Sequence, residues 1–156
     1  MAKKTARPRS LPVVAEQYKQ AAQDRSVEIG RLYQIGLYGL VIYVAGVGAE
    51  CMFRAYRAKK SPVMDARHDL HQLARGGFRE VLPPRQLPEF GTALTALSVR
   101  WNNSHRYRSD NDLRLFLKRA ELDRRIKGDF LKENARVAAV AANTIVKIGL
   151  TKWTEL

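Results

Sequence analysis

An uncharged stretch of eighteen residues, Leu32 to Ala49, constrains this chain more than any other feature. Its length approaches the ~17–25 apolar residues of a membrane span. Four glycines (Gly36, Gly39, Gly46, Gly48) and Gln34 dilute its apolarity, and Glu50 closes it at once. The remaining sequence offers no second span. A helix buried on most sides at the centre of a globular domain has the same appearance, and that is the reading taken here, with no membrane. β-Branched and aromatic residues around Leu40–Val44 also suit a strand. Without period-2 polarity or neighbouring strands, helix prevails.

Around this segment the chain reads as helical almost throughout. A first short helix covers Val13 to Gln23. Ser26 is placed to cap a second helix running to about Lys59, where Lys59-Lys60-Ser61-Pro62 ends it. Asp65 caps a short helix from Ala66 to Ala74, stopped by Gly76-Gly77. Three prolines (Pro83, Pro84, Pro88) keep residues 77–90 as a loop with at most one turn. Pro88 opens a helix through Leu94, Leu97 and Trp101. Asn102-Asn103-Ser104 breaks the apolar stripe. Ser109 or Asp110 caps a helix from Asn111 to about Lys127, and a last amphipathic helix covers Asp129 to Trp153. The expected fold is all-α: an up-and-down bundle of four to five main helices with a short extra helix over 12–156, behind a basic mobile arm at 1–11. The glycines and alanines of the long helix predict a close helix–helix contact, within the bundle or across a homodimer, because each glycine costs up to ~1 kcal/mol of helix propensity.

Charge narrows the partners. The 156 residues hold 28 Lys+Arg against 15 Asp+Glu, a net +13. Such a surface attracts phosphates, as nucleic acid, nucleotide or anionic lipid; a plain solvated surface is the bland alternative. The excess concentrates at 1–10, at 54–60 and at 100–127. Cys51 is the single cysteine, so neither an internal disulfide framework nor a cysteine zinc cage is available. A lone thiol suits a reducing compartment, and the basic arm lacks the apolar core of a secretory signal, so a cytoplasmic location is expected. His68 and His71 stand three apart but lack a third ligand at suitable spacing, so no metal and no cofactor is expected. Phosphate-cradling Gly loops, nucleophile elbows and HExxH patterns are missing.

Three segments resemble the HEPN superfamily, the higher-eukaryote and prokaryote nucleotide-binding domains. The first runs Ala45-Gly46-Val47-Gly48-Ala49-Glu50-Cys51-Met52-Phe53-Arg54-Ala55-Tyr56. The second is His68-Asp69-Leu70 with Leu73. The third is Arg100-Trp101-Asn102-Asn103-Ser104-His105-Arg106-Tyr107. Their order and spacing fit over roughly residues 15–150. The resemblance implies a four- or five-helix bundle, commonly a homodimer. Members are metal-independent ribonucleases, inactive domains, or assistants of a nucleotidyltransferase.

The third segment permits two readings under that resemblance. Arg100 and His105 match an Arg-x4-His catalytic pattern. Trp101, Arg106 and Tyr107 match a Trp-x4-Arg-Tyr stretch found in members often without nuclease activity. With 18 arginines and three histidines, about one Arg-to-His match at the permitted spacings is expected by chance, so position rather than spacing lends it weight.

The chemistry of the first reading is specific. RNA is cut without metal when its 2′-OH attacks the neighbouring phosphate. A histidine serves as acid or base near neutrality, and an arginine fork binds the extra phosphorane charge. Residues five apart on one helix diverge by about 140°, so Arg100 and His105 converge only if the helix ends between them. Asn102 and Asn103 would orient the phosphate or the imidazole, Tyr107 would stack a base or pack in the core, and Arg54, Arg106 and Arg108 would contact phosphates. The bland alternatives are a loop His105, a core Trp101, and Glu50–Arg54 as a helix-surface pair. The expected function is a HEPN-like RNA-acting protein: a metal-independent endoribonuclease of toxin or defence type with a site at a dimer cleft. The alternative is a non-catalytic module binding a nucleotide, nucleic acid or a protein partner such as an antitoxin or nucleotidyltransferase. A basic helical DNA-binding protein unrelated to the family is a third reading.

Overall fold

The computed structural model describes residues 11–61 and 67–156, and everything described is helix, turn or loop. Six helices follow in order: α1 Leu11–Gln34, α2 Tyr38–Lys60, α3 Leu70–Arg75, α4 Leu87–Ser98, α5 Asp110–Arg119 and α6 Phe130–Trp153. Single 3-10 turns occupy Arg79–Val81, Pro84–Gln86 and Asn103–Tyr107. The all-α bundle expected from the sequence is the one observed, with α3 as the short extra helix. Of the arm read at 1–11, residues 1–10 lie outside the described residues, and Leu11 opens α1. Asp65 and Ala66, read as a cap and a helix start, also lie outside them.

Side-chain contacts fix the directions. Tyr56 Oη on α2 donates to Gly149 O on α6 at 2.6 Å, and Trp153 Nε1 donates to Glu16 Oε1 near the start of α1 at 2.8 Å. Ser26 midway along α1 donates to Asn143 Oδ1 at 2.7 Å. Arg100, just past α4, reaches Asn134 near the start of α6. So α2 and α6 run parallel, α1 and α4 antiparallel to them, and α1, α2, α4 and α6 form the up-and-down bundle. The core between them is aromatic at one end. Phe78 meets Phe53, Tyr56 and Phe90 with ring centroids 5.0–5.2 Å apart. Such tilted and edge-on pairs add ~0.5–1.5 kcal/mol each beyond their buried area.

The uncharged stretch is split between two helices, contrary to one long helix from Ser26. α1 runs through Ser26 without a break and ends after Gln34 in a Schellman motif. Gly36 sits at φ +79, Gly36 N donates to Tyr33 O at 3.1 Å, and Leu37 N donates to Leu32 O at 3.0 Å. The glycine takes the left-handed conformation cheaply, and α2 folds back along α1. By length and composition α2 passes as a membrane span, but 67% of its apolar window is buried inside the bundle.

Further boundaries differ: residues 77–90 hold two 3-10 turns rather than at most one, and α3 starts at Leu70 rather than Ala66. α4 stops at Ser98 rather than continuing through Trp101. α5 stops at Arg119 rather than Lys127, closed by a second Schellman motif whose left-handed position is Glu121 at φ 60. There Leu122 N donates to Leu117 O at 2.9 Å and Glu121 N to Lys118 O at 2.9 Å.

The glycines of α2 serve a close approach inside the bundle. A Cβ on Gly46 would overlap the Trp101 indole, and one on Gly39 would overlap Asp110 and Leu113. Trp101 Nε1 donates to Tyr43 O at 3.0 Å, which fixes the indole flat on α2. This contact locks the loop after α4 onto the first resembling segment.

Candidate nucleic-acid interface

Glu50 sits on α2 one helical turn beyond the Gly46–Trp101 contact, and only 8% of it is exposed. A carboxylate at that depth needs partners. It has two on one oxygen: Arg54 Nε donates at 2.8 Å and His68 Nδ1 at 2.9 Å. Arg54 Nη2 also donates to Arg67 O at 2.7 Å. The Glu50–Arg54 pair of the sequence reading is therefore real, and it also ties the chain before α3 to α2. This corrects the reading of Arg54 as a phosphate contact, since that side chain is 11% exposed and paired within the fold. Asp69 then caps α3, its Oδ1 accepting from Gln72 N at 2.9 Å.

In the third segment α4 has already ended at Ser98, two residues before Arg100, and the chain turns again before His105. Asn102 turns extended, accepts from Ser104 N at 2.9 Å and starts the 3-10 turn Asn103–Tyr107. The break does not turn both side chains onto one phosphate. Arg100 Nε donates to Asn134 Oδ1 and its Nη1 to Ala96 O, both at 2.8 Å. Asn134 is buried and spends its amide on Leu122 O and Phe130 O. Arg100 thus ties α4 to α6.

His105 is 3% exposed. Its ring lies edge-on to Phe116 with centroids 4.7 Å apart. Nδ1 accepts from Asn102 N at 3.3 Å, which leaves the neutral ring's proton on Nε2. Nε2 is buried with no partner among the described residues. Burial, helped by the Arg108 charge, pushes the imidazole down to about 4. A ring neutral throughout the range near pH 7 cannot act there as a proton donor from its charged form.

The neighbours of His105 face outward. Tyr107 is 79% exposed with the Arg106 guanidinium 4.7 Å from its ring centre. Arg108 is exposed and stands 5.7 Å from the Phe116 ring. Arg114 and Lys118, i and i+4 on α5, flank the Phe130 ring at 5.6 and 5.7 Å. Cations and aromatic faces interleave from the 3-10 turn along α5. Arg114 is partly offset by Asp129 at 3.1 Å.

Asn102 and Asn103 open into a groove of about 390 Å³ shared with His68, Asp69 and His71. The second and third resembling segments therefore meet. Among the described residues, no three His, Cys, Asp or Glu side chains cluster to hold a metal. Sequence reasoning missed Asn134 and Ser98. A polar Asn134 between Leu131 and Ala135 on the buried stripe of α6 was the visible signal for the first. Ser98 carried none. No protein-family model, no curated protein and no solved structure matches the chain.

Proposed function

We propose that this chain is a HEPN-like, non-catalytic module that binds single-stranded RNA. Arg106 and Arg108 take phosphates, Tyr107 stacks a base, and Arg114 and Lys118 extend the phosphate track. The observation that carries this reading is the contrast within one turn: His105 shut in beside a nearly bare Tyr107 whose ring carries the Arg106 guanidinium. Stacking on an exposed aromatic beside arginines is the physics of single-strand binding. The net +13 supplies the long-range attraction.

The test is fluorescence anisotropy of a labelled single-stranded RNA across a salt series. Affinity falls with salt, with a slope of about −0.7 per phosphate neutralised. Arg106→Ala and Arg108→Ala each flatten the slope by about that amount, and Tyr107→Ala weakens binding on the order of tenfold. A salt-independent parent, or three variants that bind like the parent, overturns the reading.

The ribonuclease alternative draws on the non-helical chain around its pair: α4 ends at Ser98, before Arg100, and a 3-10 turn begins at Asn103, before His105. RNA incubated with the parent in excess chelator stays intact under the binding-module reading. Cutting that disappears in both Arg100→Ala and His105→Ala would establish the nuclease instead. The reading includes a homodimer, supported by the exposed Ile35, Leu37 and Leu40 around the α1–α2 corner.

A further inference from the structure

The groove between α3 and the loop after α4 is lined by His68, Asp69, His71, Ser98, Asn102 and Asn103, with Trp101 behind them. Three of its properties point to a ligand. Its volume of about 390 Å³ falls in the range of small-molecule sites. It contains no Lys or Arg, in a chain carrying 28 of them. And its polar groups are under-used: Ser98 Oγ is buried without a hydrogen-bond partner, and the side chains of Asn103 and His71 make no hydrogen bond among the described residues.

A groove without a strong cation and with one carboxylate does not select a phosphate. Amide, imidazole and hydroxyl groups at its wall supply paired donors and acceptors, which is what the edge of a nucleobase requires. The cations that would hold phosphates, Arg106 and Arg108, stand three and five residues beyond Asn103. Backbone contacts position a nucleic acid and base contacts specify it.

We infer that this groove receives one unpaired base of a bound RNA, hydrogen-bonded by Asn103 and His71, while the strip at 106–108 holds the adjoining phosphates. The inference rests on the RNA-binding reading. It assigns that reading a discriminating subsite, so the module prefers some bases to others. Asn102 positions the loop by capping its turn, whereas Asn103 and His71 reach the base.

Homopolymeric single-stranded RNAs (adenine, cytosine or uracil) are the probes, titrated against the parent, Asn103→Ala and His71→Ala. Both positions lie at the surface end of their elements, and unchanged melting temperatures confirm that the variants fold. The parent separates the best from the worst homopolymer by on the order of tenfold. Each variant brings them within about twofold, with the salt slope unchanged because the phosphate contacts remain. Equal affinity of the parent for all three, or a preference surviving both variants, removes the base subsite and leaves RNA binding standing. A parent that binds none of them removes both.

Discussion

At the scale of single residues, His105 shows how burial changes a role assigned from spacing. A histidine depressed from 6.5 to about 4 is neutral in the native state while its unfolded counterpart takes up a proton. Between those values the unfolded chain binds more protons, so stability falls with falling pH. The contribution is complete above about pH 6.5 and lost as pH drops through about 4. Urea denaturation of the parent and of His105→Phe at a series of pH values measures it. The parent loses up to about 3 kcal/mol more than the variant across that window. Parallel curves would show that the imidazole charges freely in the fold. Gly46 gives the opposite lesson. Its place in a small-residue run was visible, and the structure supplies the reason as the flat face of Trp101.

Among the elements, ends proved harder to read than interiors, and the chemistry of the caps explains why. Ser109 was one of two visible candidates for a cap, and Asp129, read as the first residue of the last helix, caps it instead. Ser109 Oγ accepts from Asp112 N at 3.2 Å, while Asp112 Oδ2 accepts from Ser109 N in return. Asp129 Oδ1 accepts from Leu131 N at 3.0 Å and Lys132 N at 3.2 Å. Ser26 looked equally suitable, yet its hydroxyl bonds across to Asn143 and leaves α1 continuous. A side chain that can cap can also cross-link, and only the neighbouring helix decides. The end at Gly36 was read through, because a glycine inside an uncharged run also fits a buried helix; the end at Glu121 was missed because a glutamate announces no left-handed turn. Asp129→Ala should lower stability by about 1 kcal/mol, since it strips two donors at the head of α6. A shift of the urea midpoint at unchanged slope checks this. No shift would mean that water replaces the cap without loss.

For the whole molecule, charge and core act separately. The core decides the bundle, and the surplus of cations decides what the bundle attracts. Cys51, pushed up to about 11 mainly by burial, stays a thiol under ordinary conditions and takes no part in either. The homodimer of the proposed function predicts twice 17.7 kDa by light scattering at micromolar concentration. Leu40→Glu, a charge placed among exposed apolar side chains, should return the mass to a single chain. A parent of 17.7 kDa would restrict RNA binding to one copy. The candidate site was half legible at this scale. Tyr107, Arg106, Arg108 and Asn102 lie open, and Asn103 is half-buried at the groove. Arg54, Arg100 and His105 do not: Arg54 is spent on Glu50 one turn back on α2, Arg100 on Asn134 of α6, and His105 packs on Phe116 of α5.

By itself the sequence determined that this chain is helical, that the later part of its uncharged segment, from Val41 on, packs in the core, and that its surface is strongly cationic. These follow from periodicity and composition, which are local or additive properties. Only the tertiary structure decided which polar side chains are spent holding the bundle together and which remain for a ligand. That choice depends on burial and on partners that folding brings in, such as Asn134 thirty-four residues from Arg100. Desolvation silences His105 where its spacing to Arg100 had suggested chemistry, and the meeting of α3 with the loop after α4 creates the groove.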